Sequence, residues 1–370
     1  MRIVFLVHSY YRYLKGGAEY QAFLLAKELI KRKHEVHYIF VNSTSSEIPE
    51  QDDGIFLHPL KNKKISRFIG KVVYRNEILK LLMQIKPDCI YHRNLSVFLN
   101  IANTYCKCGD CKTIWHIDSK PDVEMKKLSI SKRILVDYFK NKYLEFGIKN
   151  ANCIIGQEDY HNEMLVRNFG RECTVILNKF SPVERKQVVK VLPIRVLWIA
   201  NIKPLKQAEF FIDLAYHFKE DDSVSFIMVG RPATGNYQAG LEKRMQRLSN
   251  LEYKGELPID EVNDLLRESH LFVNTSLYEG GPPITFIQAW MREVPTVSLN
   301  VDPDDMIKEN KLGFHSGSFE QMVEDVRFLI ENKEVRGEMS RNARKYALRE
   351  YDIKKIVPKY VELFERTVKQ

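Results

Sequence analysis

Glu279 heads a turn, Glu279-Gly280-Gly281-Pro282-Pro283, between two short apolar runs at 270–274 and 295–299. The runs read as buried strands, the glycines and prolines bar the turn from helical geometry, and residues 284–291 have helical spacing. Glycines let a ligand approach the backbone closely. The free N–H groups of the helix start, around Ile284 and Thr285, favour an anion such as a phosphate. Beside such a site the carboxylate of Glu279 reads as a ligand contact, or alternatively as a helix cap or the partner of an arginine. Other candidate groups also sit where strands end. Asn201, Lys203 and Lys206 occur in NIKPLK after the run 195–200, Arg231 follows the run 223–230, and His116 lies in the run 113–117, just before Asp118. Gly16 and Gly17 close the loop that follows residues 2–8. An isolated histidine at a strand end reads either as structural or as a ligand contact, and Lys206 either as a phosphate partner or as a solvated surface residue. Cys106, Cys108 and Cys111 are the one thiol cluster. A structural zinc site needs four ligands in paired spacings, and no second Cys/His pair is placed to complete one, so no metal is expected.

These groups need elements to hold them. A length of 370 residues exceeds one ordinary hydrophobic core and predicts two domains. In the first half, strand 2–8, loop 10–17, helix 18–32 and strand 35–41 give a β-loop-α-β order, hence a parallel pair with a right-handed crossover. The loop therefore opens at the carboxyl end of a strand, where α/β sheets bind ligands. No GxGxxG occurs, so the dinucleotide fingerprint is absent. Further strands are expected at 88–92, 113–117, 152–156 and 174–177. Residues 181–193, with two prolines and a run of charge, read as a linker. A second strand–helix series follows, with strands at 195–200 and 223–230 and helices at 206–218, 261–267 and 319–331, and predicts a second doubly wound sheet. Two such domains facing one another create a cleft. Residues 351–370 form an amphipathic tail.

The net charge of +9 calls for anionic partners. Phosphorylated ligands, nucleic acid and an anionic membrane surface all qualify; nucleic acid is the weakest and is not expected, because no zinc-finger, RNP or basic-zipper pattern occurs. Two basic segments, 61–81 and 126–149, interleave lysine and arginine with apolar residues. Each reads as a helix lying weakly on anionic lipid or as an ordinary helix with a solvated face. The apolar start lacks a small-residue cleavage site and no stretch approaches the ~20 apolar residues of a membrane span, so a cytoplasmic protein is expected.

The stretch 274–302 resembles the Glu-x7-Glu region of retaining GT-B glycosyltransferases, family 4, whose usual form is similar to TSxxEGFPxxFxEAWxxGxPV. Here the second glutamate is replaced by Gln288, which lies nine rather than eight residues after Glu279, the extra residue falling within Pro282-Pro283-Ile284. YLKGGAE resembles the family's GGAE loop, WHIDSK its strand-end histidine, and NIKPLK its GRLxxxKG loop, with Lys206 matched and Asn201 in the place of the arginine. VILNKF resembles the VIPNG turn that closes the first domain, without its proline and glycine.

The resemblance implies a GT-B fold with an acceptor-side domain at 1–180, a linker at 181–193, a donor-side domain at 194–350 and a final helix at 351–370 crossing back to the first domain. It implies transfer of a sugar from a nucleotide-sugar donor to a glycan or lipid-linked acceptor, with retention and without a metal or other cofactor. Cell-surface polysaccharide synthesis is the setting it suggests. Glu279, His116 and Lys206 would be the catalytic set, with Glu279 on the sugar hydroxyls, His116 approaching the sugar and Lys206 on the diphosphate. Gly16, Gly17, Asn201, Lys203, Arg231, Gly280, Gly281, Ile284, Thr285 and Gln288 would bind the donor. Two other readings stay open: a nucleotide-sugar-binding or scaffold subunit that has lost catalysis, and a nucleotide-sugar epimerase on the same fold.

Overall fold

The computed structural model describes residues 1–13, 16–42, 47–62, 73–124, 134–177, 179–183, 190–279 and 281–370, with the backbone alone for 134–140. Much of the two basic segments therefore lies outside the described residues, as do Gly280, Asn178 and part of the 181–193 segment.

The chain forms two compact units, Met1–Asn178 with Lys354–Gln370, and Lys179–Ile353. The division falls just ahead of the expected linker, which is hydrogen-bonded into the second unit. Ser181 N donates to Tyr351 O (3.0 Å), Ile353 N to Ser181 O (3.2 Å), and Lys190 Nζ to Glu293 O (2.7 Å). The C-terminal helix Ile353–Lys369 belongs almost wholly to the first unit, where its Phe364 lies against Tyr91.

The first unit carries eight strands: β1 (Arg2–Leu6), β2 (Glu35–Asn42), β3 (Gln51–Asp52), β4 (Ile55–Lys61), β5 (Cys89–Arg93), β6 (Lys112–His116), β7 (Cys153–Gly156) and β8 (Thr174–Val175). They lie in the order β3-β4-β2-β1-β5-β6-β7-β8, parallel except for the β3–β4 pair. Strand β1 pairs Arg2 with Glu35 on one side and Ile3 with Cys89 on the other. Such central parallel strands are covered on both faces, which is why Ile3, Val4, Phe5 and Leu6 are all fully buried and why the run is continuous rather than alternating. Among the elements that went unread in the sequence are a strand and a helix. Strand β4 contains Pro59, which argues against a strand, but the pairing Phe40–Pro59 still forms. The helix Val97–Cys106 buries eight of its ten residues, so it lacks the one-sided period of a surface helix. Ser96 caps it, accepting from Phe98 N (3.2 Å).

The second unit carries β9 (Ile194–Ile199), β10 (Val224–Val229), β11 (Leu251–Tyr253), β12 (Leu271–Asn274), β13 (Thr296–Ser298) and β14 (Gly313–His315) in the all-parallel order β11-β10-β9-β12-β13-β14. Alternate residues of β9 face opposite layers. Val196 and Trp198 pack with Phe226, Met228 and Val273, while Leu197 packs with Ile227, Phe272, Phe286 and Trp290. Gly230 ends β10 at φ +155°, where a Cβ would stand 1.7 Å from Ala200 O, so only glycine lets the ends of β9 and β10 approach this closely. The helix expected from 206 starts later, at Ala208. Lys206 ends a 3-10 turn, Pro204–Lys206, and Gln207 turns left-handed at φ 45° before the helix begins.

The expected lipid-facing helix of the first basic segment is described only from Arg75 to Ile85, where Ile78, Leu82 and Ile85 lie in the core. Among the described residues no helix is long and apolar enough to cross a membrane.

Candidate functional site

In a doubly wound sheet, ligands bind outside the carboxyl ends of the strands where the winding reverses. In the second unit, strands run outward from β9 through β10 and β11 on one side and from β12 through β13 and β14 on the other, so the reversal lies between β9 and β12. The loop after β9 holds Lys206 and the loop after β12 holds Glu279. Their side chains form an ion pair, Lys206 Nζ on Glu279 Oε1, with side-chain exposures of 21% and 18%. The two loops are tied together beneath it. Trp198 Nε1 donates to Thr275 Oγ1 (2.9 Å), whose hydroxyl donates to Lys206 O (2.7 Å), and Leu277 N donates to Leu205 O (2.9 Å). Asn274 folds over its own loop, Oδ1 accepting from Ser276 N (3.2 Å). Asn300 Nδ2 reaches both Gln207 Oε1 (3.2 Å) and Ser276 O (3.3 Å). The pair is therefore carried by a braced platform rather than by free loops.

Past Glu279, Gly281 is left-handed at φ +108° and half-buried, and the helix that follows, Ile284–Trp290, is two turns long. Pro282 and Pro283 have no N–H, so the turn presents fewer donors than a glycine-only loop. Ile284 and Thr285 are half-buried at the helix start. Gln288 is 3% exposed, its side-chain amide nitrogen directed at Asn263 Oδ1 (3.4 Å) on the helix Ile259–Glu268, and its backbone carbonyl accepts from Arg292 Nη1 (3.0 Å). Asn201 is half-buried and Lys203 exposed. Arg231 forms a two-pronged pair with Glu256 (Nε–Oε2 3.1 Å, Nη2–Oε1 3.0 Å), and the hydrogen bond to this carboxylate raises its pKa. Arg231 and Ile202 are joined by the backbone bond Ile202 N to Arg231 O (2.9 Å). Lys179, at the start of this unit, was missed in the sequence. Its ammonium lies 3.1 Å from the position a Cβ on Gly281 would take. VILNKF marked only a boundary, and no local signal connects residue 179 with a turn a hundred residues later.

In the first unit the winding reverses between β1 and β5. Gly16 is the extended N-cap of the helix Gly17–Lys31, and the Glu19 carboxylate folds back to where a Cβ on Gly16 would stand. Arg93 ends β5 and pairs with Asp118 (Nε–Oδ1 2.9 Å) while its Nη1 donates to Ala18 O (3.0 Å), tying the start of that helix to the sheet. The side chains of Arg93 and Asp118 are 5% and 8% exposed. Burial opposes the guanidinium charge but Asp118 overrides it, so the pKa of Arg93 rises. His116 is wholly buried, hydrogen-bonded through Nδ1 to the Tyr91 hydroxyl and 5.9 Å between ring centres from Tyr360 of the C-terminal helix. Burial, and then the charge of Arg93, hold its pKa well below the usual histidine value, so the imidazole is neutral. Among the described residues, its Nε2 and Asp118 Oδ2 have no hydrogen-bond partner.

The thiol cluster separates in space. Cys106 and Cys111 are buried with sulfurs 2.9 Å apart, and Cys108 is exposed. Among the described residues no group of three or more His, Cys, Asp or Glu side chains is placed to hold a metal ion.

The second half of the chain, residues 182–346, matches the family described as Glycosyl transferases group 1, and residues 15–179 match Glycosyltransferase Family 4. Similar solved structures include Anabaena Alr3699/HepE in complex with UDP (16% identity, TM-score 0.73, 99% of this chain and 100% of that one). Others are the sucrose-phosphate synthase of Thermosynechococcus elongatus (13%, TM-score 0.74, 99% of each chain) and WaaG, a glycosyltransferase involved in lipopolysaccharide biosynthesis (15%, TM-score 0.70, 98% and 99%). No curated protein sequence matches the chain.

Proposed function

The chain belongs to the group 1 and family 4 glycosyltransferases, with the GT-B fold, and from that premise we propose that it is a retaining, metal-independent transferase using a nucleotide-sugar donor and a glycan or lipid-linked acceptor. The observation that carries the proposal is the Lys206–Glu279 pair at the reversal of the second sheet. Departure of a nucleoside diphosphate builds negative charge on phosphate oxygens, and a fixed ammonium stabilises that charge without reorganising. Glu279 accepts hydrogen bonds from hydroxyls of the transferred sugar. Because the two side chains already touch, a donor bridging them exchanges one ion pair for two charge-assisted contacts, phosphate to Lys206 and hydroxyl to Glu279. Backbone groups of Gly281, Ile284 and Thr285 follow in the same turn, and Gly280, outside the described residues, keeps the donor-binding role implied by the resemblance. Asn201, Lys203 and Arg231 flank the loop after β9, and Gln288 offers an amide in place of a second carboxylate.

Retention follows when the acceptor attacks on the face that the diphosphate leaves and a phosphate oxygen takes the acceptor's proton, so no protein base is assigned. Gly16, Gly17 and His116 keep the donor-contacting roles implied by the resemblance. His116, being neutral, would act there as a hydrogen-bonding group and not as a cation. An acceptor in cell-surface polysaccharide synthesis and weak association with the inner face of the membrane complete the reading. Failure to bind anionic vesicles at low salt would remove the membrane part.

The deciding experiment is thermal denaturation with UDP, GDP, ADP and their sugars, with and without magnesium. A ligand at 100 times its dissociation constant stabilises the folded form by about 2.7 kcal/mol. A shift from one nucleotide without magnesium, followed by acceptor-dependent release of that nucleotide, supports transfer and excludes the epimerase. The burial of Gln288 against Asn263 favours one second reading, a nucleotide-sugar-binding subunit without catalysis. Binding of donor with no transfer to any acceptor extract would make that reading the better one.

A further inference from the structure

We propose that Cys106, Cys108 and Cys111 form a thiol–disulfide exchange site, which a low-molecular-weight disulfide such as oxidised glutathione enters at Cys108 and converts to a Cys106–Cys111 bridge. The proposal is independent of the nucleotide-sugar reading. Geometry comes first. Cys106 is the last residue of the helix Val97–Cys106 and Cys111 directly precedes β6, and both lie in the core at 8% and 6% exposure. Their sulfurs are 2.9 Å apart and share a hydrogen bond. The residues between them, 107–110, are exposed, and with them the Cys108 thiol. Cys108 and Cys111 both line a cleft with Met83, Tyr105, Asp110 and Val368, so a small reagent that reaches the outer thiol stands beside the inner pair. The site lies at the amino end of β6, the opposite end of the strand from His116.

The chemistry comes second. The Cys108 thiolate attacks one sulfur of the reagent, forming a mixed disulfide and expelling the other sulfur as a thiolate. Cys106 attacks the Cys108 sulfur and expels the second reagent thiolate. Cys111 then attacks Cys106, with which it is already in contact, and releases Cys108 as a thiolate. In sum two protein thiols are oxidised, their two electrons reduce the reagent to two thiols, and the two S–H protons pass to these through water. Only a thiolate attacks. The hydrogen bond within the pair lowers the pKa of Cys106, which makes it the second attacker, and raises that of Cys111. Once Cys106 is bonded to Cys108 that hydrogen bond is gone, and Cys111 can ionise in turn. The other cysteines are poor competitors. Burial pushes up the thiols of Cys89 and Cys153, and that of Cys173 to about 11.

The test follows the reduced whole chain, wild type and Cys108→Ser, through a time course with oxidised glutathione, quenched by alkylation and read by mass spectrometry without reduction. Cleavage after Lys107 and before Asp110 puts the three cysteines on separate peptides. The expected result is a Cys106–Cys111 bridge as the main product of wild type, with glutathione on Cys108 as a transient that precedes it. Cys108→Ser should form the same bridge roughly tenfold more slowly, and a dithiol reductant should reverse it in both. A wild-type end product that keeps glutathione on Cys108, or joins Cys108 to Cys111, overturns the proposal. So does oxidation of Cys89, Cys153 or Cys173 as fast as the cluster, or no oxidation at all. Bridging in Cys108→Ser at the wild-type rate overturns the entry role of Cys108. An unchanged melting temperature of reduced Cys108→Ser shows that the comparison is between folded molecules.

Discussion

Each unit places an ion pair beside the reversal of its sheet, and the two pairs differ in access to water. Arg93–Asp118 is almost wholly buried, at 5% and 8%, and its arginine is also bound to the backbone at Ala18. Lys206–Glu279 is several times more exposed, at 21% and 18%, and sits on loops braced from below by Trp198 and Thr275. A buried pair has left its hydration behind, so removing one partner strands the other's charge. A partly open pair can trade its partner for a ligand. The same position in two equivalent sheets thus serves as a structural tie in one unit and as a candidate reaction site in the other, and accessibility separates the two roles.

The largest effect that would test this contrast is on stability. Arg93→Met should cost about 3–5 kcal/mol in denaturant unfolding, with most of it recovered when Asp118→Leu is added. A loss below about 1 kcal/mol would mean that water reaches the pair and the contrast fails. Next in size, Glu279→Ala and Lys206→Ala should each lower turnover by about a hundredfold or more, with melting temperatures within about 2 °C of wild type. Near-normal turnover in both would remove the site assignment. If instead they unfold the protein as Arg93→Met does, the two pairs are alike.

A pH experiment sharpens the comparison further, since His116 of the first unit and His270 of the second are both buried at their sheets. His270 has its pKa pushed down to about 4, chiefly by burial and then by the charges of Lys190, Arg336 and Arg195, and its Nδ1 accepts from Arg195 N (3.0 Å). The unfolded chain therefore binds more protons between its ordinary value near 6.5 and pH 4. The contribution of His270 is fully present above the unfolded pKa and is lost as pH falls through that window, on the order of 3 kcal/mol. Urea unfolding from pH 7 to pH 4 should show this slope and lose part of it in His270→Leu. His116 shifts in the same direction, so His116→Leu should flatten the profile as well. The smallest effect is expected at the turn. Gly281→Ala forces a Cβ into a left-handed position and toward the Lys179 ammonium, and should cost about 1 kcal/mol in thermal unfolding.

The local pattern of the chain was sufficient for most strands of both sheets, because a continuous apolar run bounded by glycine, proline or charge is a property of consecutive residues. The helix Phe319–Glu331 stands as the sequence reads it. Elements with a mixed local signal were not legible: β4 with its proline, the helix Val97–Cys106 buried all round, and the start of the helix at Ala208 past a left-handed Gln207. The loops after β9 and β12 could be singled out by their residue types, but their meeting could not. Lys206 and Glu279 are 73 positions apart and touch because the sheet order sets β9 beside β12. Sheet order also decides that Arg93 is tied to Asp118. The C-terminal helix decides that His116, a strand-end histidine in the sequence, is closed off beside Tyr360 with a neutral ring. Lys179 beside Gly281 belongs to the same class. Backbone conformation answers to neighbouring residues, whereas burial, charge pairing and the state of an imidazole answer to whatever the fold brings near from elsewhere in the chain.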